Sequence, residues 1–527
     1  MKQKLMNIVQ NKEYRNLLLI AAYISLAFFM YEYVQEKPRY RMALFLSLAF
    51  LLPVFLFPKQ VKLYFMLYFA FIYVPTLINV THILIFGEEI DPASIRCIFD
   101  TNWREAAEFL QTFCSWKLWG LVVLLLVFAG VAISRVRPAN KLSPRFVKIM
   151  QRLCFVALML TIFKGAYTYY DRSNQIPTLA LRDELHTFRQ EIKTMLKLRK
   201  NMPEYHFRNI KSALPDSEPQ TYVLVIGESL NRGHMGLYGY KRDTTPRLDD
   251  MKDELIVFDN VYSPHAATLM SLTKVLSFAN RGAEQLAFVR GSIVDYFKAA
   301  GFKTFWISNQ FDTGGNDDLL GVWGHAADKS AFINRSYWRK LNAPYDEKVL
   351  PEYQAALADK APKKFIVVHL MGSHSTYDKR FPKEFAKFSG DSPRAEKVAQ
   401  YDNSVLYNDF VVSSLIDMLR KTGRTSALLY LSDHGEDVSE AEDSCHCHSE
   451  VVATKEMFEI PFIIWSSDKY RQKRPEMMRR LKQTRRRLFN SENLIHAYTD
   501  LAGLENKDIN DRLNVFSNRY EKPEKAY

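Results

Sequence analysis

The strongest constraint on this 527-residue chain is where its apolar residues lie. Nearly all the long apolar runs fall in the first 170 positions, and the remainder reads as water-soluble protein. Five segments, about Asn16–Val34, Met42–Phe57, Leu63–Phe86, Leu118–Ser134 and Leu153–Tyr169, approach the ~20 residues that cross a ~30 Å hydrocarbon core. The second is the shortest and contains Pro53, so a re-entrant pair in place of spans one and two also fits. The first is too long for a cleavable signal peptide, lacks a small-residue cleavage site, and reads as a signal anchor.

Charge orients these spans. Lys2, Lys4, Lys12 and Arg15 precede the first, Lys59 and Lys62 separate the second and third, and Arg135, Arg137, Lys141, Arg145 and Lys148 separate the fourth and fifth. Basic loops stay in the cytoplasm. The loop Gly87–Lys117 carries Glu88, Glu89, Asp91, Glu105 and Glu108 and lies outside. An odd number of spans then places everything after Tyr169 outside, which in a bacterium is the periplasmic face of the inner membrane. The mean hydropathy of -0.20 and net charge of +13 would, taken alone, suggest a soluble basic protein. Yet residues 1–170 carry 19 Lys and Arg against 9 Asp and Glu, leaving only +3 for residues 171–527. The basic excess records topology, so no nucleic-acid partner is expected. A hydrophobic content of 48% with 13% aromatics excludes a disordered chain.

Three regions follow: a transmembrane domain (1–170), a helical linker (171–220) and a catalytic domain (221–527). In the linker, Leu181, Leu185, Phe188, Ile192 and Met195 recur at helical spacing within the basic stretch Leu179–Lys200. This suits a helix packed on the soluble domain or one lying in the bilayer interface. From Thr221 on, apolar strands (Tyr222–Ile226, Ile256–Val261, Lys303–Ser308, Phe365–Leu370, Ala427–Leu431, Phe462–Trp465) alternate with helices (Leu269–Phe278, Ile293–Ala300, Val398–Lys421, Asn493–Leu501). The pattern predicts an α/β three-layer sandwich on a mainly parallel sheet, with its site beyond the carboxyl ends of the strands.

Those strand ends carry metal-type ligands. The first runs into Gly227-Glu228-Ser229, the fourth into His369 through His374, and the fifth into Ser432-Asp433-His434-Gly435-Glu436, with His446, Cys447 and His448 beyond. One such residue is usually structural; several at the ends of one sheet are brought together by the fold. Carboxylate plus imidazole suits Zn²⁺, or Mn²⁺. Thr268 stands where a helix begins. It is either an N-cap or a nucleophile whose pKa a metal would lower, at a helix end that favours phosphate. Ser271 and Thr273 are its rivals.

At these residues the chain resembles the bacterial phosphoethanolamine transferases of the alkaline-phosphatase/sulfatase superfamily. The resembling segments are Val225-Ile226-Gly227-Glu228-Ser229, Leu237-Tyr238-Gly239-Tyr240 with Arg242 and Thr244-Thr245-Pro246, the Thr268 segment, His369-Leu370-Met371-Gly372-Ser373-His374, Tyr401-Asp402-Asn403-Ser404, and Ser432-Asp433-His434-Gly435-Glu436. Their order and spacing match across residues 221–465, and five spans before an outside domain match as well.

The resemblance implies that Glu228, Thr268, Asp433 and His434 hold a catalytic Zn²⁺, with Thr268 as nucleophile. It implies that His374 and His446 bind the phosphoryl group or protonate the leaving group. His446 has the family-like spacing from Asp433, His448 is its rival, and His369 is a further substrate-binding candidate. It implies transfer of phosphoethanolamine from phosphatidylethanolamine to lipopolysaccharide core, lipid A or another envelope glycan, through a covalent intermediate on Thr268 and with release of diacylglycerol. A phosphoglycerol transferase using phosphatidylglycerol, a membrane-anchored sulfatase or phosphatase, and a glycan-sensing binding protein are the alternatives. No Cys/Ser-x-Pro-x-Arg sulfatase motif lies near Thr268.

The chain departs from the lipid A-modifying branch in lacking a Cys near Thr268, and so looks more like the branch acting on core sugars or other glycans. Of its five cysteines, Cys97 and Cys114 share the outside loop and could pair, whereas one intervening residue would strain a bridge between Cys445 and Cys447. Finally, Lys469–Arg487 is rich in Lys and Arg, which suits a solvated helix face or a surface for anionic saccharide or lipid phosphates.

Overall fold

The computed structural model describes residues 11–35, 39–86, 116–138, 142–167, 205–311, 319–334, 344–438 and 453–527, with isolated positions such as Leu185, His448 and Glu450 between them. Most of the Leu179–Lys200 segment, His446, and Cys97, Cys114, Cys445 and Cys447 lie outside the described residues. The chain divides into two compact units, Met1–Ile192 and Lys193–Tyr527.

The first unit is helical: α1 (Lys12–Val34), α2 (Tyr40–Leu56), α3 (Pro58–Ile85), α4 (Trp116–Arg135) and α5 (Pro144–Tyr167). Four of these are long and apolar enough to cross a membrane, and α2 is a shorter apolar helix of 17 residues. At 1.5 Å per residue α2 covers ~26 Å, and Pro53 lies inside it without ending it. In α3 a π-turn at Phe69–Tyr73 shifts the helical register. The inner face of α1 (Ile20, Tyr23, Ile24, Ala27) meets an aromatic cluster in which Tyr23 lies 4.6 Å from Phe65 and 5.3 Å from Tyr73, centroid to centroid. Tyr68 and Tyr73 hydroxyls donate to the carbonyls of Ile24 and Leu125 at 2.7 and 3.0 Å, so these buried polar groups are satisfied. Leu124, Val127 and Phe163 face outward, a surface that suits lipid rather than water.

The second unit is built on a seven-stranded sheet. In chain order its strands are β1 (Gln220–Gly227), β2 (Leu255–Val257), β3 (Lys303–Phe311), β4 (Lys329–Asn334), β5 (Lys363–His369), β6 (Thr425–Ser432) and β7 (Phe462–Ser466). Their spatial order is β2-β7-β6-β1-β5-β3-β4. All pairs are parallel except those made by β7. The central strands β1, β5 and β6 are buried throughout, because both faces are covered. Alternate residues therefore enter different cores. Tyr222, Leu224 and Ile226 pack with helices α6 (Thr268–Val275) and α7 (Ile293–Ala299). Val223 and Val225 pack with α8 (Val349–Ala358) and α9 (Pro393–Lys421).

Two differences from the sequence pattern have local causes. The predicted strand Ile256–Val261 divides in two, because the chain bends at Asp259-Asn260 and Val261–Tyr262 pairs instead with Phe489–Asn490. The edge strand β4 carries Lys329, Ser330 and Asn334 and gives only a weak apolar signal. In the 171–220 stretch, Phe207 and Leu214 are buried within the second unit, and Lys211–Ser212 pairs with Leu504–Glu505.

Candidate active site

Strand register assembles the site. Gly227 is the Cα partner of Ser432, so the next residues, Glu228 on one strand and Asp433 and His434 on the other, emerge side by side. Ile226 is likewise the partner of His369. Just past β1, Ser229 takes a left-handed φ of 54°, which costs a non-glycine residue energy. Three bonds hold it there. Its N–H donates to Asp433 Oδ1 at 3.0 Å, its hydroxyl donates to Glu228 Oε1 at 3.0 Å, and its carbonyl accepts from Tyr401 at 2.7 Å.

Thr268 is the first residue of α6, and the residue before it, Ala267, has no side chain to cap the helix. The Thr268 hydroxyl does not fold back on its own helix. It lies 3.1 and 3.2 Å from the two carboxylate oxygens of Glu228 and 3.4 Å from His434 Nε2. Ser271 is fully buried and donates to the Asp433 carbonyl at 2.6 Å, so its hydroxyl is committed to structure.

Glu228, Asp433 and His434 each offer a ligand atom within 4.8 Å of the others, all buried. His434 Nδ1 lies 2.7 Å from the Gly435 carbonyl, which fixes the proton there and turns Nε2 toward the carboxylates. Two adjacent buried carboxylates need a positive charge. Burial and the neighbouring Glu228 charge raise Asp433 to about 6. Burial would lower His434, but Asp433 and Glu228 outweigh it and raise the imidazole to about 10. Burial opposes ionisation of Glu228, yet the bond and charge of His434 hold its carboxyl below the usual range. Asp433 Oδ2 is buried and has no hydrogen-bond partner among the described residues. Two carboxylates, one imidazole and a hydroxyl, with one carboxylate oxygen orphaned, fit the donor set of a divalent cation.

A second layer surrounds this centre. His448 Nδ1 lies 2.8 Å from Glu436 Oε2, and the other Glu436 oxygen accepts from Tyr377. The His448 ring stands 4.6 Å from that of His434 and 5.9 Å from that of His374, so the structure brings both of these predicted histidines together. His369 is buried at the end of β5, edge-on to Trp306. Gln310, at the end of β3, went unread in the sequence. Its amide donates to Glu228 Oε2 at 3.2 Å and to the Leu370 carbonyl at 2.9 Å. Asp346 holds the turn after β5 through the N–H groups of Met371 and Gly372, both at 2.8 Å. Glu450 accepts from Ala266 N at 2.7 Å, two residues before Thr268. Such amides and carboxylates carry no pattern of their own; position at a strand end was the only available signal for Gln310.

Comparison with known proteins identifies the family and the fold. The Sulfatase family model matches residues 220–504. Phosphoethanolamine transferase EptC of Escherichia coli (strain K12) is 33% identical over 492 residues, covering 88% of this chain and 84% of that protein. Phosphoethanolamine transferase CptA of Salmonella typhimurium is 33% identical over 490 residues, with the same coverage of 88% and 84%. Among solved structures, the integral membrane lipooligosaccharide phosphoethanolamine transferase A of Neisseria meningitidis aligns with a TM-score of 0.71, covering 96% of this chain and 99% of that one. At 22% identity it speaks for the fold alone. The C-terminal periplasmic domain of EcEptC from Escherichia coli, solved in complex with Zn, is 35% identical, with a TM-score of 0.56 and coverage of 61% and 92%.

Proposed function

Because this chain belongs to the phosphoethanolamine transferases, with a sulfatase-family catalytic domain, we propose that it moves phosphoethanolamine from phosphatidylethanolamine to an envelope glycolipid by way of Thr268. It is a multi-pass protein of the bacterial inner membrane with its catalytic unit in the periplasm. The observation that carries the proposal is the aim of the Thr268 hydroxyl, at both Glu228 oxygens and His434 Nε2 rather than at its own helix.

Glu228, Asp433, His434 and Thr268 are the residues that would hold Zn²⁺, or Mn²⁺. When bound, the ion supplies positive charge that lowers the pKa of the Thr268 hydroxyl and offsets charge on the phosphoryl group. The chain's own residues do the rest. Glu228 and Ser229 fix the position of Thr268 Oγ1, and the uncapped first turn of α6 directs N–H groups at an anion. Thr268 Oγ1 bonds to the donor phosphorus as the bond to the diacylglycerol oxygen breaks. The Thr268 proton passes to an imidazole beside the site, His374 or His448, with His369 nearby on β5; the resemblance gives His446 the same role. The same imidazole returns it to the departing diacylglycerol oxygen. An acceptor hydroxyl or phosphate then gives up its proton to it, bonds to phosphorus and frees Thr268. Lipopolysaccharide core and lipid A are the acceptors that best fit the family.

The test is to quench full-length protein after mixing with phosphatidylethanolamine or phosphatidylglycerol and to map its peptides by mass. A phosphoethanolamine group on Thr268 supports the proposal. Label only from the glycerol lipid, or on another residue, would sink it. Comparing envelope glycolipids with and without the gene identifies the acceptor.

A further inference from the structure

The segment Lys469–Arg487 holds ten Lys and Arg against one Glu, while the rest of residues 171–527 is net acidic at -6. The structure divides these ten cations. Five are committed: Arg471 to Asp468 and the Ser466 carbonyl, Lys473 to Glu218, Arg474 to the Asp500 carbonyl, Arg480 to both Asp500 carboxylate oxygens, and Arg487 to the carbonyls of Val515 and Ser517.

Lys469 is exposed on the preceding short helix, Asp468–Lys473, and the other four form a face. On α10 (Pro475–Thr484), Met477, Leu481 and Thr484 are buried on one side. Arg479, Lys482, Arg485 and Arg486 project on the other, at spacings of three, three and one, with Arg485 still helical just past the last turn. Lys482 and Arg485 have no ion pair or side-chain hydrogen bond among the described residues. Arg479 pairs only with Glu476, both more than half exposed, and Arg486 lies 3.9 Å from Asp259. Exposed pairs like these contribute little, and like charges one helical turn apart repel. The strip stays electropositive over ~11 Å of helix.

Its basic end is tied to the segment of chain that leads into Thr268. The Arg485 carbonyl accepts from Asp259 N at 3.1 Å, Phe489 N donates to the Asn260 carbonyl at 2.9 Å, and Phe489–Asn490 pairs with Val261–Tyr262. Thr268 follows six positions later. Phosphatidylethanolamine is zwitterionic and does not match a strip of exposed cations held only by weak surface pairs. A saccharide carrying several phosphates does.

We propose that Arg479, Lys482, Arg485 and Arg486 bind phosphate groups of the glycolipid acceptor and so hold it at the approach to Thr268. This rests on the glycolipid reading above.

The test uses full-length protein in detergent micelles, with bisphosphorylated lipid A, its dephosphorylated form, and phosphatidylglycerol vesicles as probes. Replacing the four residues by Gln should weaken lipid A binding by about tenfold or more and flatten its salt dependence. The acceptor KM should rise with it, while transfer from donor to Thr268 keeps its rate. A variant with Arg479→Lys, Arg485→Lys and Arg486→Lys should bind as wild type does. Equal lipid A affinity in wild type and the Gln variant would overturn the proposal. So would an equal loss on dephosphorylated lipid A, or a loss confined to the vesicles, which would make the strip a bilayer contact. Failure to label Thr268 from phosphatidylethanolamine would instead strike the functional reading and leave this binding comparison intact.

Discussion

Gly372 backs directly onto Glu228: a Cβ at position 372 would stand 2.6 Å from the Glu228 carbonyl oxygen and 2.7 Å from its nitrogen. Gly372 also has a φ of +53°, and the next N–H, from Ser373, donates to that same carbonyl at 2.9 Å. The β5 turn thus presses on the backbone that carries a metal-type ligand. Gly372→Ala should cost about 2–4 kcal/mol and shift Glu228, lowering both Tm and metal affinity. An unchanged Tm with unchanged affinity would mean that the two segments can part freely.

Thr268→Ala should reduce transfer by about a thousandfold or more, because the covalent step is lost. Its fold should survive, since the hydroxyl makes no cap. Thr268→Ser should keep part of the activity. Steady-state transfer to lipid A, read beside a melting curve, checks both variants. Full activity in the Ala variant would remove Thr268 from the mechanism.

Gln310 touches Glu228 without belonging to the ligand set. Outer partners of this kind typically contribute 10–100-fold in metal affinity, and Gln310→Ala should weaken Zn²⁺ binding by about that factor. Competition with a chelating dye measures it. Stripping the metal from wild type should also lower Tm, by the linkage between ligand binding and folding. A Gln310→Ala variant with wild-type affinity would show that Glu228 is held well enough by Ser229 and Thr268.

Asp409 provides a pH signature outside the candidate ligand set. It lies buried in α9, accepts N–H groups from Arg247 and Leu248 at 3.0 and 2.9 Å, and is raised to about 7, chiefly by burial. Unfolded Asp titrates near ~3.9. Between these values the folded chain binds the extra proton, so stability falls as pH rises through that window and levels off above it. Asp409→Asn should flatten the slope of unfolding free energy between about pH 4 and 7, at a cost of about 1 kcal/mol for the altered bonds. An undiminished slope in the variant would assign the pH dependence to another group.

Much of this was legible in the chain because the physics is local. Runs such as Tyr222–Ile226 and Ala427–Leu431 announce strands covered on both faces, and residues just past them had to meet at one edge of the sheet. Local sequence could not decide whether Thr268 caps its helix, because the answer depends on Glu228, forty positions earlier. Gln310 and Asp346 are ordinary residues until the fold sets them against Glu228 and the β5 turn. The break at Asp259-Asn260 was readable as a turn, but the Phe489–Asn490 partner that holds the second half was not.

The pairing of Gly227 with Ser432 has a temporal side. The residues it joins are about two hundred positions apart, as in the bond from Ser229 N to Asp433 Oδ1. Glu228 and Thr268 emerge long before the strand that leads into Asp433 and His434. On the proposed ligand set, a chain still being delivered across the membrane therefore holds half of a cation site. Docking of β6 beside β1 then completes the centre, so capture of the ion would report that these two central strands have joined.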